Sequence, residues 1–128
     1  MPGPELYVDY RWFLERQEEL LPDDLTVNDF SVLVGMAARH RVDPPRHDQH
    51  PDACWRAAVF LEECVLLRPL PARNEVFGYG VAIAYLEASG QRVDTKFELW
   101  RELIYDIRAL RVDSYEVADR LRSWRSTS

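Results

Sequence analysis

"RNEVFGYGVAIAYLEASG", Arg73 to Gly90, decides the fold. From Val76 to Leu86 it contains no charged residue. Its spacing reads as a helix from about Asn74 to Ser89, with Gly90 placed as the C′ residue. A helix that is apolar all round belongs at the centre of a domain. Gly78, Gly80, Ala82 and Ala84 leave room for neighbouring helices to approach. Each glycine weakens the helix by about 1 kcal/mol relative to alanine, so close packing is the expected compensation.

Working outward from that helix, the pattern stays helical. "ACWRAAVFLEECVLL" (Ala53–Leu67) is capped by Asp52 and broken by Pro69 and Pro71. "TVNDFSVLVGMAARH" offers Thr26 or Asn28 as N-cap and places Phe30, Leu33, Val34, Ala37 and Ala38 on one face. Leu6 to Tyr10 reads as a short strand, followed by a helix from Arg11 to Leu21 that Pro22 ends. Downstream, Phe97, Trp100, Leu103, Ile104 and Ile107 share a helix face. Asp113 and Glu116 then stand at capping-box spacing before a last helix that buries Ala118 and Leu121. The expected architecture is a single all-α domain over residues 1–128, with five to six helices around a buried central one at about 74–89.

Composition narrows the function classes. A chain of 128 residues makes one domain. The net charge of −6 opposes general nucleic-acid binding, which needs a basic footprint. The apolar run from Val76 to Leu86 is far shorter than the roughly 20 residues that cross a bilayer, so membrane anchoring is not expected. Cys54 and Cys64 sit about 280° apart around one helix and cannot bridge each other. A reducing cytoplasm is the expected compartment.

Two stretches could carry chemistry. In "RPLPARNEV" (Arg68–Val76), Arg68 and Arg73 flank the start of the central helix. Unsatisfied N–H groups and the helix dipole favour an anion there, with Arg73 and Asn74 as its binding residues. The plainer alternative makes Asn74 an N-cap only. In the loop "RVDPPRHDQHPD", His47, His50, Asp48 and Asp52 form a possible metal constellation. No further ligand pattern accompanies them, so a solvated loop is the preferred reading and no metal is assigned. His40, at a helix C-terminus, suits a cationic cap better than a base.

The stretch from Trp55 to Trp124 resembles the Fic/Doc family, and Doc-type toxins of toxin–antitoxin pairs most closely. That family's signature, His-x-Phe-x-Asp/Glu-Gly/Ala-Asn-Lys/Gly-Arg, lies on "RPLPARNEV" without a gap when its Asn is set on Asn74. Ala82, Tyr85, Leu86 and Gly90 follow the family's downstream pattern, and "VADRLRSW" resembles the Doc tail. The resemblance implies a compact helical fold, a cytoplasmic bacterial toxin, a small acidic or amphipathic antitoxin as partner, and a protein target. It also implies transfer of AMP or phosphate from a Mg²⁺-bound nucleotide to a protein hydroxyl. The loop from Val42 to Pro51 lies where the family carries a target-docking flap. His40, Arg41, Arg46, His47 and His50 would contact the target from there, and the flap is expected to be mobile and on the face of Arg68.

The departures bear directly on mechanism. Arg68 stands where the family has its catalytic histidine, and a guanidinium is no base at neutral pH. Leu70 replaces the aromatic residue, and Ala72 replaces the carboxylate that would hold Mg²⁺. Glu75 and Val76 replace the phosphate-binding residues, and Glu75 puts negative charge where phosphate would lie. Conventional transfer is therefore expected to be lost and no cofactor retained. An altered-site enzyme would use Arg68 and Glu75 at the catalytic motif positions, or His40, His47 or His50 as base, and would bind a nucleotide with Mg²⁺. A non-catalytic partner-binding or regulatory helical module is the alternative.

Overall fold

The computed structural model describes residues 5–42 and 51–126. Among them are six α-helices and no strand: α1 (Tyr10–Leu20), α2 (Phe30–Arg39), α3 (Ala53–Leu67), α4 (Asn74–Ala88), α5 (Phe97–Arg108) and α6 (Ser114–Ser123). Four of the six begin on an aspartate whose carboxylate accepts an N–H of the first turn: Asp9, Asp29, Asp52 and Asp113. The capping box of Asp113 and Glu116 forms as the spacing predicts. The cap of α2 is Asp29 rather than Thr26 or Asn28. The reason is that the Asn28 and Asp29 N–H groups are drawn to the Pro69 carbonyl, at 2.8 and 3.0 Å, which fixes the chain's entry angle one residue later.

The stretch expected as a strand at Leu6–Tyr10 has no ladder partner. Its backbone is satisfied by side chains instead: the Val8 N–H donates to His40 Nε2 at 3.0 Å, and Arg41 donates to the Val8 carbonyl at 3.1 Å. The nearest thing to strand pairing is a single bridge between Val93 and Arg125, which clamps the C-terminal segment to the α4–α5 connection.

α4 is buried along Asn74, Phe77, Gly78, Val81, Ala82, Tyr85 and Leu86, as its uncharged sequence requires. α3 is buried more completely still and packs against α2, α4, α5 and α6. At the α3–α4 crossing, a Cβ on Gly78 would lie 2.9 Å from the Cys64 Cβ, so only glycine allows this approach. Phe13, Phe60 and Tyr85 meet edge to face, with Phe60 at 5.0 Å from each of the others, and join α1, α3 and α4.

Two helices turn otherwise than periodicity implied. α2 buries Val32, Leu33 and Met36 and leaves Phe30, Val34 and Ala38 exposed. That helix is apolar on several sides but packs chiefly against α1 and α3, which cover one. On α5, Trp100, Leu103, Ile104 and Ile107 face the core, while Phe97 tips outward against Tyr79, ring centres 5.1 Å apart.

Candidate functional site at the start of the fourth helix

The nonapeptide Arg68–Val76 is a tight crossover between the two most buried helices. α3 ends on Arg68 in a left-handed conformation (φ 48°), its N–H bonded to the Cys64 carbonyl at 3.2 Å. Arg73 is left-handed too (φ 60°) and is the residue before α4, with no side-chain cap. Such a conformation costs a non-glycine residue about 1–2 kcal/mol, so the surroundings must impose it twice. Asn74 supplies that constraint. It is fully buried, and its side chain clasps the Leu70 backbone in both directions, accepting from the N–H and donating to the carbonyl, each at 2.9 Å. Leu70 is itself in the core.

Asn74 therefore faces inward, as the first helical residue of α4 rather than its N-cap, and presents nothing to an external anion. The N-terminal end of α4 is held instead by the chain's own carboxylate. Glu75 accepts from Arg68 at 3.2 Å and is paired with Arg108 of α5 at 3.4 Å. Burial pushes its carboxyl upward. A bond from its own N–H together with the two guanidiniums outweighs that, so the group titrates below the ordinary range. The Arg73 carbonyl accepts from the Phe77 N–H at 3.0 Å, while its exposed side chain makes no hydrogen bond or ion pair among the described residues.

Of the expected flap residues, only His40 and Arg41 are among the described residues. Arg46, His47 and His50 lie outside the described residues, as does Asp48 of the possible metal constellation. Asp52 caps α3 and takes a two-point bond from Arg122, at 2.8 and 2.9 Å. Among the described residues no cluster of His, Cys, Asp or Glu could hold a metal. His40 is 1% exposed and sits in the core against Phe60. Burial first, then Arg41 and Arg56, lower its pKa against the opposing pull of backbone carbonyls. A neutral ring that donates from Nδ1 to the Ala37 carbonyl at 2.6 Å and accepts at Nε2 from Val8 satisfies both nitrogens. The cationic cap is thus corrected to a neutral structural histidine, and a target cannot reach it. Arg41 is spent on the Val8 carbonyl and the Tyr7 ring.

Three features escaped sequence reading. Arg108 reaches Glu75 from α5, a contact that no local motif encodes. Arg56, also buried, donates to the Tyr85 hydroxyl at 2.6 Å, and that hydroxyl in turn donates to the Leu6 carbonyl, tying α3, α4 and the N-terminal segment together. Beside Glu75 and Arg108 a groove of about 650 Å³ runs along α5, with Ile104 and Tyr105 in its wall and Phe97 at its far end. Glu98, Arg101 and Glu102 line it as well, so its wall mixes apolar and charged side chains.

Chemically, the α4 terminus has no free base. Arg68 is a cation, Glu75 is a weak base held by two arginines, and His40 is enclosed. Ala72, exposed in the loop, supplies no carboxylate for Mg²⁺, and Glu75 opposes a phosphate. The residues present do not fit a magnesium-bound nucleotide. No protein-family model matches the chain, and no curated protein or solved structure shows significant similarity to it.

Proposed function

We propose that this chain is a divergent Fic/Doc-like toxin component of a bacterial toxin–antitoxin system, cytoplasmic, in which AMP or phosphoryl transfer has been lost. Asn74, the one signature residue retained on "RPLPARNEV", and the downstream Ala82, Tyr85, Leu86 and Gly90 carry the family reading. One observation carries the loss: Glu75 lies at the anion position of α4 between Arg68 and Arg108. An internal carboxylate there competes with any external phosphate, through both charge and space.

Titration calorimetry with ATP and Mg²⁺ tests this, and no binding is expected. Micromolar affinity would overturn the loss. Growth arrest on expression in a bacterial host, relieved by Arg73→Ala and by Glu75→Ala, would instead support the altered-site enzyme. The family reading has its own check, since it requires a small antitoxin gene next door.

The alternative, a partner-binding module without catalysis, is supported by the groove along α5. Under either reading the fold serves to hold another protein, the cognate antitoxin in the first case.

A further inference from the structure

The outer face of α5 carries charges without an ion-pair partner among the described residues. They are Glu98, Arg101 and Glu102, all exposed. Between them stands Tyr105, 59% exposed, with Phe97 at the start of the helix 43% exposed. Arg108 is already engaged by Glu75.

At about 100° per residue, Arg101 and Arg108 fall about 20° apart on one flank of Tyr105, and Glu98 and Glu102 about 40° apart on the other. Two carboxylates four residues apart on an exposed helix repel by roughly 0.2–0.5 kcal/mol. Arg101, three residues from Glu98, is near but forms no ion pair with it, so a second cation offsets the repulsion. That arrangement is self-complementary in only one sense. A two-fold axis perpendicular to the helix sets each flank against its own copy, acid on acid and base on base. A two-fold axis parallel to the helix sets the acidic flank against the basic one.

We propose that α5 is a self-association surface on which two copies of this chain pair in parallel, Arg101 of each copy opposite Glu98 and Glu102 of the other. Arg101 and Glu102 differ by only about 1.5 Å along the helix axis, so they lie level across a parallel pair. Symmetry makes every such contact twice. Tyr105 is at the seam, in the groove that Glu98, Arg101, Glu102 and Ile104 also line, so a second copy pairing there covers ring and charges together. The face adjoins the α4 site through Glu75 and Arg108, but the inference does not rest on the family resemblance, and ATP titration does not bear on it.

Sedimentation velocity over a concentration series tests it, with far-UV circular dichroism as the folding check, since every substituted side chain is exposed. A single helix seam is a small interface, so a reversible dimer growing in toward about 200 µM is expected. Glu102→Arg should weaken it roughly tenfold or more by placing cation on cation twice, and Arg101→Glu should do the same. The charge-swapped double variant Arg101→Glu/Glu102→Arg should recover most of the association. Tyr105→Glu should leave a folded monomer. A wild-type chain that stays monomeric at that concentration overturns the proposal and leaves α5 to a different protein. A dimer unmoved by the charge reversals overturns it as well.

Discussion

Removing the Asn74 amide while keeping its helix gives the sharpest view of what the nonapeptide is for. In Asn74→Ala the Leu70 N–H and carbonyl, both in the core beside a residue 3% exposed, lose their partners together. Leaving a buried donor and a buried acceptor unsatisfied costs about 1–3 kcal/mol for each. Local movement that lets water in recovers part of this, so the expected loss is about 2–4 kcal/mol. For a chain of this size that is a fall in Tm of about 8–15 °C. Urea and thermal unfolding of the two proteins measure it. Asn74→Asp is expected to be at least as damaging, since it keeps the acceptor for the Leu70 N–H but turns an oxygen toward the Leu70 carbonyl. A loss below about 0.5 kcal/mol for Asn74→Ala, the range of an ordinary surface change, would refute the inward clasp and return Asn74 to the list of residues free to bind an anion.

Three further outcomes are expected. Gly78→Ala gains about 1 kcal/mol of helix propensity but drives a Cβ to 2.9 Å from the rigid Cys64 Cβ, an overpacking cost of about 1–3 kcal/mol. It should unfold at lower urea than the wild type, whereas Gly80→Ala meets the side chain of Leu20, an exposed residue at the end of α1 that can turn aside, and should be close to neutral. Glu62 is 8% exposed, and one of its carboxylate oxygens has no partner; burial chiefly raises its pKa, with Arg39 and a Ser114 hydrogen bond pulling the other way. A raised native value means that stability is highest below the unfolded pKa and falls as pH climbs through the native one, so Glu62→Gln should stabilise by on the order of 1 kcal/mol at neutral pH and gain nothing below about pH 4. Tyr85→Phe removes the hydroxyl that joins Arg56 to the Leu6 carbonyl and should cost about 1–3 kcal/mol, read by the same unfolding curves.

The helices were legible because their signals are local. Asp52, Asp113, the proline breaks and Gly90 mark ends within a few residues of the ends themselves, and Gly90 takes a positive φ of 79°, whereas the caps Asp9 and Asp29 were not singled out. The face of α2 was not legible, because an apolar helix does not state which side its neighbours will cover. α3 exceeds α4 in burial although it carries Arg56 and Glu62, charges that conceal its position until their partners are seen. At the candidate site, Arg68 and Glu75 were singled out from the motif alone, and they do meet. The inward turn of Asn74 was hidden, since it depends on a left-handed Arg73 where sequence gives no reason to expect one. The neutral state of His40 depends on Val8, 32 residues away, and the second clamp on Glu75 on Arg108, 33 residues along.

The central claim is that the anion at the start of α4 is the chain's own Glu75. An NMR pH titration of the Glu75 carboxyl carbon tests it most directly. A clamped carboxylate should titrate below the usual glutamate value of about 4.3 and move up toward it in Arg68→Ala and in Arg108→Ala. A midpoint at or above that value in the wild-type protein, unmoved by either substitution, would contradict it.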